Sequence, residues 1–353
     1  MTGQNLVQPC WFKGKIMKAV VLEKPGVVKV AEFPVPDCPD GGMLVRVDCC
    51  ALCSSDLRMV KYGHRALRYP VILGHEICGT VIENRQENGE IEPGDRIVVA
   101  PGISCGTCRY CREGKENLCP DIEILGFNHP GGLTEVLAVP GQMIQTGWVA
   151  KIPGKADPME CCLAEPLGCC LNGYEKLRIK AEDKVLIIGG GSIGCIHAWL
   201  CKLKGARRVY IVEKDSRRHG QLEQLGVSGL CSCEEDVRDS FDILILACRY
   251  FPGPEFLKNR IAPGAKILFF SGVDENCLST FAWGNLIHYR EWQILGAYGC
   301  KPRQIKEAIR LICHEIVPVR KLIGARYSLK EIHTALKTME ELRVMKVVIK
   351  PQE

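Results

Sequence analysis

Four cysteines, Cys105, Cys108, Cys111 and Cys119, follow the spacing C-x2-C-x2-C-x7-C, with Gly102, Gly106 and Gly114 among them. Four thiolates gathered by one short, turn-rich loop suit a closed tetrahedral zinc site. Pro120 after the last cysteine is shared with iron–sulfur runs, but those use shorter gaps. Left unligated, such a cluster would only invite oxidation. A second group is more dispersed. Cys53 stands in Ala51-Leu52-Cys53-Ser54-Ser55-Asp56, His75 follows 22 residues later in Gly74-His75-Glu76, and Glu165 opens Glu165-Pro166-Leu167. One thiolate, one imidazole and one or two carboxylates make the donor set of an open zinc site that keeps a position for substrate. Glu165 is the candidate for a further protein oxygen or for holding the metal's water. Singly these residues would read as a core thiol, a satisfied histidine and a surface acid, and it is their joint appearance that points to chemistry.

A third group is nucleotide-like. The apolar run Val185-Leu186-Ile187-Ile188 leads into Gly189-Gly190-Gly191-Ser192-Ile193-Gly194, which fits G-x-G-x-x-G. A helical stretch follows, and Glu213 lies 19 residues past Gly194, the context in which the motif binds a dinucleotide. Gly189 permits the tight turn, Gly191 the approach of the pyrophosphate to the helix N-terminus, and Gly194 close helix–strand packing. Glu213 should accept hydrogen bonds from the adenosine ribose and repel a 2'-phosphate, favouring NAD. Lys214, Arg217 and Arg218 follow it and could attract that phosphate, or form a solvated helix face.

Elements must hold these groups together. Short strand-like runs at 19–22, 43–47, 96–100 and 134–139, separated by Pro, Gly, Asp and Asn, predict a mostly β unit. Beyond Pro158, strands at 184–188, 208–212, 241–246 and 265–270 alternate with helix-length segments, predicting a doubly wound parallel sheet. Helices are expected over 303–313 and from the capping box Ser328-Leu329-Lys330-Glu331, and a closing strand at 346–349 could pair back with the first unit. The expected division is 1–160 with 301–353 for the β unit and 161–300 for the nucleotide unit.

Composition narrows the class. With 46 basic and 41 acidic residues the net charge is only +5, and no basic stretch is interleaved with aromatics, so nucleic acid and membrane surfaces are not expected partners. No signal peptide or spanning run is evident, which points to the cytoplasm, where the 22 cysteines would be reduced thiols and metal ligands rather than a disulfide framework. The adjacent pairs Cys49/Cys50, Cys161/Cys162 and Cys169/Cys170 read mostly as small packing residues. The polar and aromatic segment ahead of Met17 reads as a surface arm or the product of an alternative start.

On these motifs the chain, from about residue 17 to 351, resembles the zinc-containing medium-chain dehydrogenases, most closely their polyol branch with sorbitol and threonine dehydrogenases. The resemblance implies a GroES-like catalytic domain joined to a Rossmann domain, one catalytic and one structural zinc, NAD, and a homodimer or homotetramer. It implies Cys53, His75 and Glu76 as ligands of the catalytic zinc, with Glu165 where such enzymes offer a further Cys or Glu. Zinc there would act as a Lewis acid on an alcohol oxygen, so that the carbon bearing it can give hydride to nicotinamide. By the same resemblance Ser55 carries the alcohol's proton away. Many relatives place a histidine five residues after the metal cysteine to complete that relay, whereas this chain has Arg58, which does not exchange protons at neutral pH; water, a cofactor hydroxyl or His64 would have to serve. Arg58, Lys61, His64, Arg65 and Arg68 either face solvent or bind an anionic group on the substrate. Two other readings compete: a zinc-free quinone or enoyl reductase on the same scaffold, and a non-catalytic, redox-sensing NAD-binding protein.

Overall fold

The structure, a computed structural model, describes residues 14–353 apart from 88, 228 and 273–282. The expectation for the segment ahead of Met17 falls mostly outside the described residues. The chain opens as a hairpin of β1 (Ile16–Lys24) and β2 (Val27–Pro34), which buries Ala19, Val20 and Leu22. Next come β3 (Met43–Leu52), α1 (Ser54–Tyr62), β4 (Val71–Ile72), β5 (Glu76–Asn84) and β6 (Arg96–Val99). β3 runs five residues beyond the expected run at 43–47. The polar Asp48 that interrupts its apolar pattern sits at a register shift and accepts a hydrogen bond from Thr80 Oγ1 at 2.7 Å, so the strand continues through Cys49 and Cys50.

β7 (Gly102–Ile103) and β8 (Glu123–Ile124) pair at the base of the four-cysteine loop, which contains the single turn α2 (Arg109–Arg112). β9 (Val136–Val139), α3 (Gly141–Gln145), β10 (Val149–Lys151), α4 (Pro158–Cys161) and α5 (Ala164–Leu177) follow. α5 buries most of its residues, Glu165 included.

A six-stranded sheet comes next. It is built from β11 (Lys184–Ile188), α6 (Ser192–Leu203), β12 (Arg208–Val212), α7 (His219–Gln224), β13 (Leu230–Cys231), β14 (Phe241–Leu246), α8 (Pro254–Arg260), β15 (Ile261–Phe269), α9 (Gly284–Arg290) and β16 (Gln293–Gly296). The strand order is β13-β12-β11-β14-β15-β16, and every pair is parallel. The order reverses between β11 and β14, so a crevice opens at their carboxyl ends, where open α/β sheets bind ligands. Covered on both faces, β11 is apolar throughout its buried Val185–Ile188 core rather than alternating.

The chain then returns. α10 (Pro302–Cys313), β17 (Ile323–Tyr327), α11 (Ile332–Glu340) and β18 (Lys346–Ile349) complete it, and Ser328 and Glu331 form the expected capping box ahead of α11. The expected return of the closing strand is found: β18 pairs antiparallel with β3, with Val347 opposite Leu52 and Ile349 opposite Cys50. The resulting sheet has the order β10-β6-β5-β3-β18-β17, with β9 also on β3.

One buried group carries a pH signature. His197 on α6 is fully buried, lies edge-on to Phe270 at 4.6 Å, and has no partner for either ring nitrogen among the described residues. Burial pushes its pKa down to about 3, well below the roughly 6.5 of an unfolded chain. Between those values only the unfolded state binds the proton. Stability is therefore highest above the unfolded value and falls as pH drops toward 3, by up to about 1.4 kcal/mol per pH unit. Urea unfolding from pH 7.5 to 5 should show His197→Phe losing stability less steeply than the parent; parallel curves would show that this imidazole titrates normally.

Candidate metal and nucleotide sites

At one end of the seven-stranded sheet β3 ends at Leu52 while β5 starts at Glu76 and β18 at Lys346. Cys53, just past Leu52, caps α1 and donates its backbone N–H to Asp56 Oδ2 at 2.8 Å. Gly74 holds a φ of +98°, where a Cβ would stand 2.7 Å from Cys50 Sγ and 2.8 Å from the Leu133 nitrogen, so only glycine delivers His75 to this point. The donor atoms of Cys53, His75 and Glu76 all lie within 4.8 Å of one another. Ser55 Oγ is 3.2 Å from His75 Nε2, and Asp56 Oδ1 is 3.3 Å from His75 Nδ1. Asp56 thereby favours the tautomer that carries its proton on Nδ1 and frees Nε2. The contact is electrostatic rather than well aligned, since neither atom completes a hydrogen bond.

Glu76 also meets a cation. Lys346 Nζ donates to both of its oxygens, 2.6 Å from Oε2, and to the Leu52 carbonyl at 3.2 Å. Burial disfavours charge on both His75 and Lys346, yet Asp56 and Cys53 hold the imidazole pKa above its ordinary value, as Glu76 and Cys53 do for Lys346. The carboxylates of Asp56, Glu76 and Glu165 are buried, and Lys346 is the buried lysine paired with Glu76. A thiolate, an imidazole and a carboxylate oxygen are a zinc donor set. Glu165 does not join Cys53, His75 and Glu76 within 4.8 Å; its carboxylate groups instead with Cys169 and Cys300. Sequence reasoning missed Lys346 and the orienting part of Asp56. A lysine opening the otherwise apolar strand Lys346–Ile349 was the available signal for the first.

In the loop, Cys105, Cys108, Cys111 and Cys119 converge within 4.8 Å. Cys108 Sγ is 3.5 Å and Cys105 Sγ 3.9 Å from Cys111 Sγ, bracketing the ~3.8 Å edge of a tetrahedron with zinc–sulfur distances of about 2.3 Å. Backbone N–H groups of Cys105, Cys108 and Cys111 point at sulfurs of the set. Hydrogen bonds from the backbone of Thr107 and Cys108 bring the Cys105 thiol down to about 6, which suits a thiolate ligand. Burial and the Cys108 sulfur push Cys111 of the same set up to about 12, where burial also puts the packing thiol Cys49.

The glycine motif forms the turn between β11 and α6. Gly189 has φ +105°, and a Cβ on Gly194 would stand 2.0 Å from the Gly189 carbonyl oxygen. At Gly191 a Cβ would meet only Arg218 Nη1, so the approach from the crevice stays open to a pyrophosphate at the α6 N-terminus. Glu213 accepts the Gly190 and Asp215 N–H groups, each at 2.9 Å. Of the three following cations, Lys214 lies 3.6 Å over the Tyr250 ring and Arg217 pairs with Asp215, whereas Arg218 stays 3.8 Å from Glu213. Gly194→Ala should cost about 1–3 kcal/mol through overpacking and weaken dinucleotide binding. Melting curves with and without NAD check this, and an unchanged midpoint and ligand shift would mean the turn can relax.

In the basic segment behind Cys53, Lys61 pairs with Glu340 and Arg68 reaches Glu123 at 3.3 Å. Arg58 and His64 are exposed, and the His64 and His75 rings flank Phe127, each with centroids 5.6 Å away.

Residues 39–153 match the alcohol dehydrogenase GroES-like domain. D-altritol 5-dehydrogenase of Agrobacterium fabrum is 29% identical over 325 residues, spanning 90% of this chain and 94% of that protein. The zinc-type alcohol dehydrogenase-like protein YdjJ of Escherichia coli is 33% identical over 216 residues, a stretch that spans 60% of its own length. Among solved structures, a zinc-binding dehydrogenase from Sinorhizobium meliloti 1021 bound to NADP superposes with a TM-score of 0.84 at 28% identity, over 96% of this chain and all of that one.

Proposed function

We propose, from the premise that the chain belongs to the zinc-containing medium-chain dehydrogenases of the polyol type, that it moves hydride between a secondary alcohol of a neutral polyol and NAD. The observation that carries this reading is the meeting of Cys53, His75 and Glu76 at one sheet end with the Ser55 hydroxyl on His75 Nε2. Cys53, His75 and Glu76 would hold the catalytic zinc and the four-cysteine loop a structural one. When bound, zinc supplies Lewis acidity at the substrate oxygen and NAD the hydride acceptor.

The chain's own residues do the rest. Asp56 fixes the His75 ring. The Ser55 hydroxyl stands beside the Nε2 lone pair that a cation would take, where it can receive the alcohol's proton, help typically worth about 100-fold or more. Arg58 stays protonated at neutral pH and cannot accept a proton, so the proton leaves Ser55 by water, by a cofactor hydroxyl or past Phe127 toward His64. Glu213, its oxygens turned toward the glycine turn, selects NAD, and Arg218 borders the pyrophosphate path along Gly191, Ser192 and Ile193. The acid partners of Lys61 and Arg68 favour an uncharged substrate.

Residues 1–160 and 301–353 would form the catalytic unit and 161–300 the nucleotide unit, as the return of β17 and β18 to the first sheet suggests. β16 is an edge strand with exposed Ile294, near exposed Tyr289 and Tyr298, a surface on which two copies could pair into a homodimer or build a homotetramer. Among the described residues no helix is long and apolar enough to cross a membrane, and the described cysteines are free thiols, which fits a cytoplasmic setting.

An NADH-absorbance screen over polyols, amino alcohols and sugar phosphates, with NADP in parallel and with and without a zinc chelator, tests this. A plain polyol should be oxidised, NAD preferred and the chelator inhibitory. Cofactor binding with no alcohol oxidised, and one metal equivalent or none, would favour a zinc-free reductase instead.

A further inference from the structure

Glu165 and Cys169 lie one turn apart on α5, so their side chains share one helix face. The resemblance places Glu165 where the catalytic metal is offered a further ligand, and its buried carboxylate feels the charges of His75, Glu76 and Lys346. Yet that carboxylate stands outside the 4.8 Å grouping of Cys53, His75 and Glu76, and inside one with the sulfurs of Cys169 and Cys300. The Cys169 thiol donates to Glu165 Oε1 at 3.2 Å, the single hydrogen bond to this carboxylate among the described residues. We propose that Cys169 is a positioning residue of the catalytic centre. Its thiol, backed by Cys300, holds the Glu165 carboxylate off Cys53, His75 and Glu76 and so keeps the metal's open position free for the substrate oxygen.

The thiol is fixed from two sides. α5 carries it, and Cys300 packs against the same helix: a Cβ on Gly168 would be 3.3 Å from the Cys300 Cβ. The backbone leading into Cys300 is tied down in turn. The Tyr298 and Gly299 carbonyls accept the buried amide of Asn172 on α5, at 3.2 and 2.9 Å, and Asn117 of the four-cysteine loop donates to the Tyr298 carbonyl at 2.7 Å. Cys300 and burial raise the Cys169 thiol above its ordinary value, so it keeps its proton and serves as a donor rather than a metal ligand. A thiol is a weak donor, but a carboxylate that is 8% exposed has to find a partner. With the thiol gone, the cation at Cys53, His75 and Glu76 becomes its best one. A catalytic zinc uses three protein ligands and keeps a position for substrate, and a fourth protein oxygen would compete for that position. The inference rests on the proposed chemistry of this centre and adds what sets the place of Glu165 in it.

The test loads the full-length, reduced chain with cobalt and reads imidazole binding from the cobalt d–d absorbance, with neither alcohol nor NAD present. Imidazole takes the open position. The parent should bind it, and Glu165→Gln alone should leave its Kd unchanged. Cys169→Val, with Cys169→Ala as a smaller companion, should weaken imidazole binding about tenfold, the low end of what outer-shell changes do at metal sites. Adding Glu165→Gln to either should restore the parental Kd, and Cys169→Ser, which keeps a donor, should retain it. With a polyol as substrate, Cys169→Val should raise KM by a similar factor and change kcat less. Tighter imidazole binding in Glu165→Gln alone would show that the acid already ligates the metal and would overturn the proposal, even if the apolar variants failed to fold. So would parental binding in Cys169→Val and Cys169→Ala, or a Cys169→Ser chain that behaves like Cys169→Val. A parent and variants that follow the expected pattern but oxidise no alcohol would leave the positioning role standing while the proposed activity fell. Alcohol oxidation by a parent whose variants all bind imidazole alike would do the reverse.

Discussion

Cys53→Ala will carry one metal equivalent fewer than the parent and form NADH at least about a thousandfold more slowly. Lewis-acid stabilisation is worth several kcal/mol, and each 1.4 kcal/mol is a factor of ten in rate. The loss should be specific. The Asp56 bond that caps α1 is made to the Cys53 backbone N–H, which alanine keeps, so the fold and the glycine turn stay in place. His75 and Glu76 alone do not replace the missing thiolate, because they leave two protein donors where a catalytic zinc site uses three. Elemental analysis, NADH absorbance and NADH fluorescence on binding together read the outcome: metal and turnover fall while cofactor affinity stays within a few fold. Full metal content with activity inside tenfold of the parent would remove Cys53 from the site.

Lys346→Met comes next in size. The Lys346–Glu76 pair is buried, with side-chain exposures of 3% and 0%, and removing one member of such a pair typically costs 3–5 kcal/mol because it strands the other charge. Urea denaturation should show that loss without a change in slope. The double variant Lys346→Met with Glu76→Gln should regain much of it, since a neutral pair of similar shape leaves no buried charge. A loss below about 1 kcal/mol in the single variant would mean that the carboxylate takes up a proton or reaches water in place of its partner. Activity separates a second role: the double variant should fold yet turn over poorly, because glutamine is a weaker donor to zinc than carboxylate.

What could be read in the chain beforehand divides along physical lines. The four-cysteine loop and the glycine turn were legible because their function depends on residues close in sequence, whose spacing is itself the geometry. β11, β12 and β14 came out with their expected bounds because a strand covered on both faces is a mostly apolar run, here broken only by Lys184, Arg208 and Asp242 at or near the strand starts. β3 was cut short because Asp48 looks like a break, and its cross-strand partner Thr80 lies on another strand. The grouping of Cys53 with His75 followed from their donor chemistry and their joint appearance with the other motifs, to which family likeness was added, and not from periodicity. Lys346 and the trio of Glu165, Cys169 and Cys300 were hidden for one reason: each contact is made by side chains on elements whose approach only the packed sheets and α5 define. Glu165, expected to give the catalytic metal a further oxygen or to hold its water, groups within 4.8 Å with two thiols and not with the catalytic trio.

The distance along the chain between Glu76 and Lys346, 270 residues, has a consequence for biogenesis. Synthesis is vectorial, so the first sheet emerges from the ribosome long before the lysine that neutralises its deepest carboxylate exists. Until β18 slides in beside β3, the nascent catalytic half must either keep that acid protonated and wet or leave the sheet end frayed. Metal acquisition by the catalytic centre is thus tied to the arrival of the last strand, whereas the four-cysteine loop, closed within 15 residues, has all its ligands much earlier.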